Sequence, residues 1–492
     1  MLLLGIDLGT SSIKVSVVDS ATGNVVSSAS YPETESEIIA LQAGWAEQSP
    51  NLWWQNVQQA IKNCNVKGKY NSKDIAAVGI AYQMHGLVIT NQQQESLRNS
   101  IIWCDSRAVE IGNKAFADIG EEKVLNNMLN SPGNFTAAKL AWVKKNEPKI
   151  YQEIDKMMLP GDFIAMKLTG NITTSASSLS EGIFWDFKNN EVSNDILNYF
   201  GFDANLIPAV QDVFSNHGEL SAEIANQLGL KTGIPVSYKA GDQPNNALSL
   251  NVSEPGEVAA TAGTSGVIYG ISDTLKYDKQ SRVNTFAHVN HTQANPRLGV
   301  LLCINGAGSM NRWVKNTMAS QLNYAQINEL AAQAKEGSEG IAVLPFGNGA
   351  ERMLNNKNIG SHIENIDVNR HHQKELLRAV QEGIAFSFRY GFDILKENGV
   401  APQVIRAGKA NLFLSDLFAQ TFVNIIGVPV ELYDNDGSVG AAIGAGIGIG
   451  VYAKAADAFI GKKALQLIEP KKSTLESHYQ NWKDILSQKL NN

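Results

Sequence analysis

Cysteine is scarce in this chain. Three occur in 492 residues, Cys64, Cys104 and Cys303, scattered and odd in number. That excludes a disulfide framework and a paired zinc spacing, and a reducing, cytoplasmic setting is expected. Basic excess is missing too. Lys plus Arg number 41 against 48 Asp plus Glu, a formal net charge of −7, which argues against nucleic acid and anionic membrane as partners. The first residues carry no basic region, and Asp7 interrupts their apolar run too early for a secretory signal. No hydrophobic run has the length of a bilayer span. The longest uncharged stretch near the end, GSVGAAIGAGIGIGVYA, is rich in Gly and Ala and reads as a buried, closely packed helix. Familiar phosphate-binding signatures are also absent. There is no G-x-x-x-x-G-K-[ST] loop, no G-x-G-x-x-G fingerprint and no protein-kinase motif set.

What is present is a globular composition, 43% hydrophobic and 18% charged, long enough for two or three domains. Residues 1–31 read as a hairpin or meander. Residues 49–64 read as a helix with Ser49 as cap, Pro50 in the first turn, and Leu52, Trp53, Val57, Ala60 and Ile61 at helical spacing. Residues 75–84 form a buried strand ending at His85-Gly86, 105–232 are mostly helical, and 234–250 run strand, turn, helix. A strand at 340–346, a long helix over 372–398 and a strand with a glycine turn at 402–411 follow. His371-His372 would lie at the exposed start of that helix.

Two stretches resemble each other. IDLGTSSIKV and TAGTSGVIYG both place Gly-Thr-Ser between apolar strands, with Gly9 and Gly263 standing 254 residues apart. Such turns aim successive backbone N–H groups into one concavity, hydroxyls add donors, and the result suits phosphate oxygens. Each turn alone is equally an ordinary hairpin turn. A pair, one heading each half, indicates a duplicated α/β design with its boundary near 245–256.

In order and spacing, GIDLGTSSIKV, GWAEQSPNLWW, YQMHG, IIWCDSRA, NFTAAKLAWVKKNEP, AGDQPNNA and TAGTSGVIYG resemble the FGGY carbohydrate kinases over residues 1–455. The resemblance implies an α/β, two-lobed actin/hexokinase-like ATPase fold, built from duplicated ribonuclease H-like domains around a central cleft that closes on ATP and Mg²⁺. It implies an N-terminal domain over 1–248, a C-terminal domain over 249–455 and a helical extension over 456–492. QMHG beside W-x-D-x-R is most similar to members acting on D-xylulose, giving D-xylulose 5-phosphate. Another ketose or polyol (ribulose, ribitol, gluconate, glycerol) and a non-catalytic sugar- or nucleotide-binding relative are the alternatives. The partners implied are the sugar and ATP, with no nucleic acid and no membrane, and a homodimer is left open.

The family pattern carries over residue by residue. Asp242 matches the catalytic base, which orients the sugar hydroxyl and takes its proton; on spacing alone it also reads as a helix N-cap. Asp7, with Asp242, matches the metal position, and Thr10, Ser11 and Lys14 line the phosphate path, although Lys14 also suits a solvated strand. Met84 and His85 match the ketose-binding turn. Asp105 and Arg107 join the sugar site or form a structural ion pair, and Trp45 and Trp103 serve as apolar walls or core. Gly263, Thr264 and Ser265 match the second phosphate turn; Asn305, Gly408, Lys409 and Asn411 approach ribose and adenine. The chain departs from the pattern at RAGKAN, where relatives carry three glycines, at Asn365, where a glycine is expected, and at DQPNN. His288 and His291 have a loosely metal-like spacing with no third ligand.

Overall fold

The computed structural model describes residues 1–434 and 436–491. They pack as two units. The first holds residues 1–253, 286–298 and 436–462, and the second holds 254–285, 299–434 and 463–491. Packing therefore departs from the expected division along the chain. Residues 436–455, expected in the C-terminal domain, join the first unit. The expected extension is shared, with 456–462 in the first unit and 463–491 in the second.

The first unit is built on β1 (Leu2–Leu8), β2 (Ile13–Asp19), β3 (Val25–Tyr31), β4 (Ile75–Tyr82) and β5 (Val236–Gly241), in the order β5-β4-β1-β2-β3. β1, β2 and β3 form an antiparallel meander, and β4 and β5 add parallel to β1. Both sheet faces are covered, which is why β1 reads as a continuous apolar run rather than an alternation. Leu4, Ile6 and Leu8 enter one core, and Leu3 enters another.

The Gly/Ala-rich stretch forms the helix Gly437–Gly448. Its backbone approaches the sheet so closely that a side chain has no room. A Cβ at Gly5 would strike the Ser438 carbonyl, one at Gly79 the Ala441 carbonyl, and one at Gly448 the Ser237 carbonyl, while Gly444 abuts the Tyr238 ring. The other face is covered by the helix Pro50–Lys67, which buries Trp53, Val57, Ala60 and Ile61. Ser49 caps it, accepting from the Leu52 N–H at 3.3 Å. Leu52, expected on the apolar face, is exposed.

The second unit's sheet adds β6 (Glu257–Ala262), β7 (Gly266–Ser272), β8 (Asn284–Ala287), β9 (Leu298–Ile304), β10 (Val404–Gly408), β11 (Val430–Tyr433) and β12 (Gln466–Ile468), in the order β8-β9-β7-β6-β10-β11-β12. Without its edge strands the order is β11-β10-β6-β7-β9, the same arrangement as β5-β4-β1-β2-β3. β6 and β7 form an antiparallel hairpin, and β10 and β11 add parallel. The duplication legible in two short turns thus extends to whole sheets. The long helix is Gln373–Glu397, with His372 as its N-cap. Asn365 sits at φ 65°, a left-handed conformation that Asn tolerates better than other side chains, so it can stand where the family pattern has glycine.

Candidate active site

Asp7 lies next to the end of β1, opposite Lys14 in the β1–β2 register. Burial and the Asp436 carboxylate push Asp7 up to about 6, against the pull of Lys14. Lys14 itself is exposed, with Nζ 3.7 Å from Asp436 Oδ2. The turn that follows is pinned. Thr10 Oγ1 donates to Gln83 Oε1 (3.2 Å) and accepts from Trp103 Nε1 (3.0 Å), and Gln48 Nε2 donates to the Thr10 carbonyl (2.8 Å). Gln48 in turn accepts from Gln83 Nε2 and Trp53 Nε1, each at 3.1 Å. Trp103 is therefore not part of the core; it is 52% exposed and rests on the hairpin tip.

Asp242 is the first residue of the helix Asp242–Ser249, directly after β5. Gly241 occupies the cap position and the helix has no side-chain cap bond, so the N-cap reading of Asp242 does not hold. Burial and the Asp7 charge push Asp242 up to about 7, while hydrogen bonds from Gln243 act the other way. Two buried carboxylates, each raised in proton affinity by burial and by a neighbouring carboxylate, suit either a shared proton or a cation.

The QMHG turn meets the same place from β4. A Cβ on Gly241 would lie 2.6 Å from Met84 Cγ and 3.4 Å from Glu181 Oε1, so only glycine lets the residue before Asp242 reach Met84. His85 holds φ 63°. Its N–H donates to Glu181 Oε2 (3.2 Å), and its Nδ1 lies 3.0 Å from the Glu181 carbonyl oxygen. Its own carbonyl accepts from Lys139 Nζ (2.8 Å) and Thr136 Oγ1 (3.3 Å). Phe135 and Phe286 flank the imidazole with centroids at 4.7 and 5.4 Å. Glu181 is buried, which pushes its carboxyl well up, while a 2.6 Å bond from the Tyr82 hydroxyl draws it back. Sequence reasoning passed over Glu181 and Lys139. Lys139 stood inside the quoted NFTAAKLAW motif, whereas Glu181 in SLSEGIF gave no signal.

Asp105 and Arg107 form the ion pair that was one of their two readings. Arg107 Nη2 is 2.7 Å from Asp105 Oδ2 and Nη1 is 2.7 Å from Glu47 Oε1. The guanidinium lies 3.7 Å over Trp45, and Asp105 Oδ2 also accepts from the Ala46 N–H at 2.6 Å. Removing Arg107 would leave the buried Asp105 carboxylate without its cation, at about 3–5 kcal/mol.

In the second unit, Gly263, Thr264 and Asn411 line one cavity of about 330 Å³ with Asn311, Arg312 and Tyr324. The Gly263 and Thr264 carbonyls accept from Gly308 N–H (3.1 Å) and Ser309 N–H (2.9 Å), which ties the turn to the start of the helix Ala307–Met318. Asn305, Gly408 and Lys409 take no part in that lining. Asn305 Nδ2 instead donates to the Ala350 carbonyl (2.8 Å), and its main-chain N–H donates to the buried Glu351. His288 is buried, and burial pushes it down to about 3. Among the described residues no three His, Cys, Asp or Glu side chains are grouped to hold a metal, and no helix is long and apolar enough to cross a membrane.

Comparison with known proteins places this geometry in context. The model of the FGGY family of carbohydrate kinases matches through its N-terminal domain over residues 2–249 and its C-terminal domain over 258–449. A xylulose kinase of Escherichia coli K12 is 30% identical over 445 residues, covering 90% of this chain and 88% of that protein. The structure of a xylulose kinase from Rhodospirillum rubrum superposes with a TM-score of 0.89 at 25% identity, covering 99% of each chain. A gluconate kinase from Lactobacillus acidophilus superposes with a TM-score of 0.90 at 22% identity, covering 99% of this chain and 98% of that one. The duplicated α/β fold expected from the sequence is the one found. A fold shared by xylulose and gluconate kinases does not itself select the sugar.

Proposed function

Because the chain belongs to the FGGY family of carbohydrate kinases, we propose that it transfers the terminal phosphoryl group of ATP to a hydroxyl of D-xylulose, giving D-xylulose 5-phosphate. The observation that carries this reading is the meeting of two motifs far apart in the chain. The Met84-His85 turn packs on Gly241, the residue before Asp242. The identity to a named xylulose kinase over most of both chains supports the choice of sugar.

In this reading Met84 and His85 hold the ketose, and Asp242 receives the proton of the attacking hydroxyl. Burial and a neighbouring carboxylate raise the proton affinity of Asp242, the direction a general base requires. Phosphoryl transfer asks the protein mainly to position groups and stabilise charge. The Gly9–Ser12 turn, with Thr10, Ser11 and Lys14, receives phosphate oxygens on the first unit. The Gly263–Ser265 turn and the adjoining cavity receive nucleotide on the second. Asp7 and Asp242 would hold Mg²⁺, with water completing its shell, and the ion would offset the charge of the phosphates. The raised proton affinity of both carboxylates fits a site built for a cation. The setting proposed is the cytoplasm.

ADP release measured with D-xylulose, D-ribulose, ribitol, gluconate and glycerol tests the substrate. D-xylulose should give the highest kcat/KM, and a tenfold preference for another acceptor overturns the choice. Asp242→Asn should lower kcat by about 10²–10⁴, and an unchanged kcat would remove Asp242 from the base role.

A further inference from the structure

We infer that Gln83 is a positioning residue that ties the phosphate turn at Gly9–Ser12 to the ketose turn at Met84-His85, and that the Thr10 hydroxyl serves this tie and not the phosphate. Both turns carry here the roles proposed for them above, and the inference rests on that reading.

An indole N–H can only donate. Trp53 Nε1 lies 3.1 Å from the Gln48 amide, so the amide atom that faces it is the oxygen, Oε1. Gln48 Nε2 then faces the carbonyls of Thr10 (2.8 Å) and Glu37 (3.3 Å), which can only accept. The Gln83 atom 3.1 Å from Gln48 Oε1 has to donate, and is therefore Nε2. That turns Gln83 Oε1 to Thr10 Oγ1, at 3.2 Å. A hydroxyl has one proton. With the Trp103 N–H donating to Thr10 Oγ1 from 3.0 Å and an acceptor at Gln83, that proton goes to Gln83. Trp53, Gln48 and Gln83 are all buried. Turning the hydroxyl to a phosphate oxygen would leave the buried Gln83 carbonyl oxygen without its donor, which is costly. Phosphate is therefore left to the main-chain N–H groups of the turn and to Ser11, which is exposed.

The main chain adds a second tie. The Gln83 N–H donates to the Leu8 carbonyl at 2.9 Å, and Leu8 ends β1 just before the turn. Gln83 thus holds the hairpin at its base through the main chain and at its tip through the side chain, and the next two residues are Met84 and His85. A shift of the ketose turn is passed to the phosphate turn. Phosphoryl transfer depends on the placement of the attacking oxygen relative to phosphorus, so a buried link between the turn holding the acceptor and the turn holding phosphate supplies what the reaction needs.

The test uses the full-length protein. Gln83→Leu and Thr10→Val break the side-chain tie from opposite ends, and each should lower kcat with D-xylulose about tenfold or more. The double variant should fall only to the level of the lower single variant, because one tie is lost once. Losses that multiply overturn the inference and give the Thr10 hydroxyl a separate contact, and so does an unchanged kcat in either folded single variant. Main-chain hydrogen exchange, read by mass spectrometry over residues 8–14 and 83–87, supplies a readout that a loss of stability alone does not reproduce. D-xylulose should slow exchange in both segments of the parent, but in 83–87 alone in Gln83→Leu and Thr10→Val. Thr10→Ser, which keeps the hydroxyl, should retain the slowing in both. Thr10→Val, at the hairpin tip, carries the comparison where Gln83→Leu does not fold. Slowing confined to 83–87 in the parent, or surviving over 8–14 in the variants, overturns the tie. No slowing over 83–87 in the parent overturns the ketose reading instead, and the kcat comparison, made with the acceptor that ADP release selects, still decides the tie.

Discussion

Gly437→Ala separates the proposed role of Asp7 from the stability of the fold. Gly437 is the first residue of the helix Gly437–Gly448, after the Asp436 cap whose side chain accepts from the Ser438 N–H at 2.8 Å. Its φ is not in the left-handed region, so alanine can adopt the same backbone. Alanine restricts the unfolded chain, a gain of about 0.4–1 kcal/mol. Against this, the new Cβ would meet the Asp7 carboxylate, with Cγ at 2.9 Å. The carboxylate can rotate away, at about 0.5–1.5 kcal/mol for leaving its rotamer. The two effects nearly cancel, and Tm should stay within about 4 °C. Activity should not stay. A misplacement of about 1 Å in a reacting constellation costs on the order of 10²-fold, so kcat should fall by about that factor, and the Mg²⁺ concentration giving half-maximal rate should rise. The assay is coupled ADP release at saturating sugar and ATP across a MgCl₂ series, beside a thermal scan. A kcat within about threefold of the parent and an unchanged Mg²⁺ dependence would refute the reasoning that Asp7 must sit where it does.

Gly79→Ala should destabilise by about 1–3 kcal/mol, read as a lower urea midpoint. Because the Cβ meets the Ala441 carbonyl as well as the Ala445 Cβ, adding Ala445→Gly should restore little, and full rescue would contradict the backbone clash. His217 is buried, with Nδ1 3.0 Å from Thr173 Oγ1 and Nε2 3.2 Å from the Val213 carbonyl, and burial pushes it down to about 3 from 6.5. Below pH 6.5 the unfolded chain takes up a proton that the folded chain refuses, so stability falls as pH falls towards 3. At pH 5 that loss is about 2 kcal/mol. His217→Gln should be less stable at pH 7 yet lose about that much less between pH 7 and 5; an identical pH response in both proteins would refute the assignment. RAGKAN departs from the family's adenine turn, so GTP should support turnover within about tenfold of ATP in kcat/KM, about 1.4 kcal/mol. A preference for ATP above about a thousandfold would show base recognition by the Asn411 cavity.

The sequence by itself determined the local elements and their duplication. Apolar runs ending in Gly-Thr-Ser at residues 9–11 and 263–265 specify hairpins, because strand propensity and turn chemistry act over a few neighbours. The Ser49–Pro50 start, the long helix to Glu397 and the Gly/Ala helix were legible for the same reason, and the motif order carried the family. Tertiary structure alone decided what those elements touch. Residues 436–462 pack in the first unit because the sheet there presents Gly5 and Gly79, and only a helix of small residues can lie against them. Asp242 could be a cap or a base on spacing, and the helix begins so that Gly241 takes the cap. Asp105 and Arg107 are two residues apart, but the fit of Arg107 between Trp45, Glu47 and Asp105 depends on segments that meet only in the fold. Glu181 had no motif to announce it. Its role comes from lying beside Tyr82 and His85, nearly a hundred positions away in the chain, and burial is what turns an ordinary carboxylate there into a clamp.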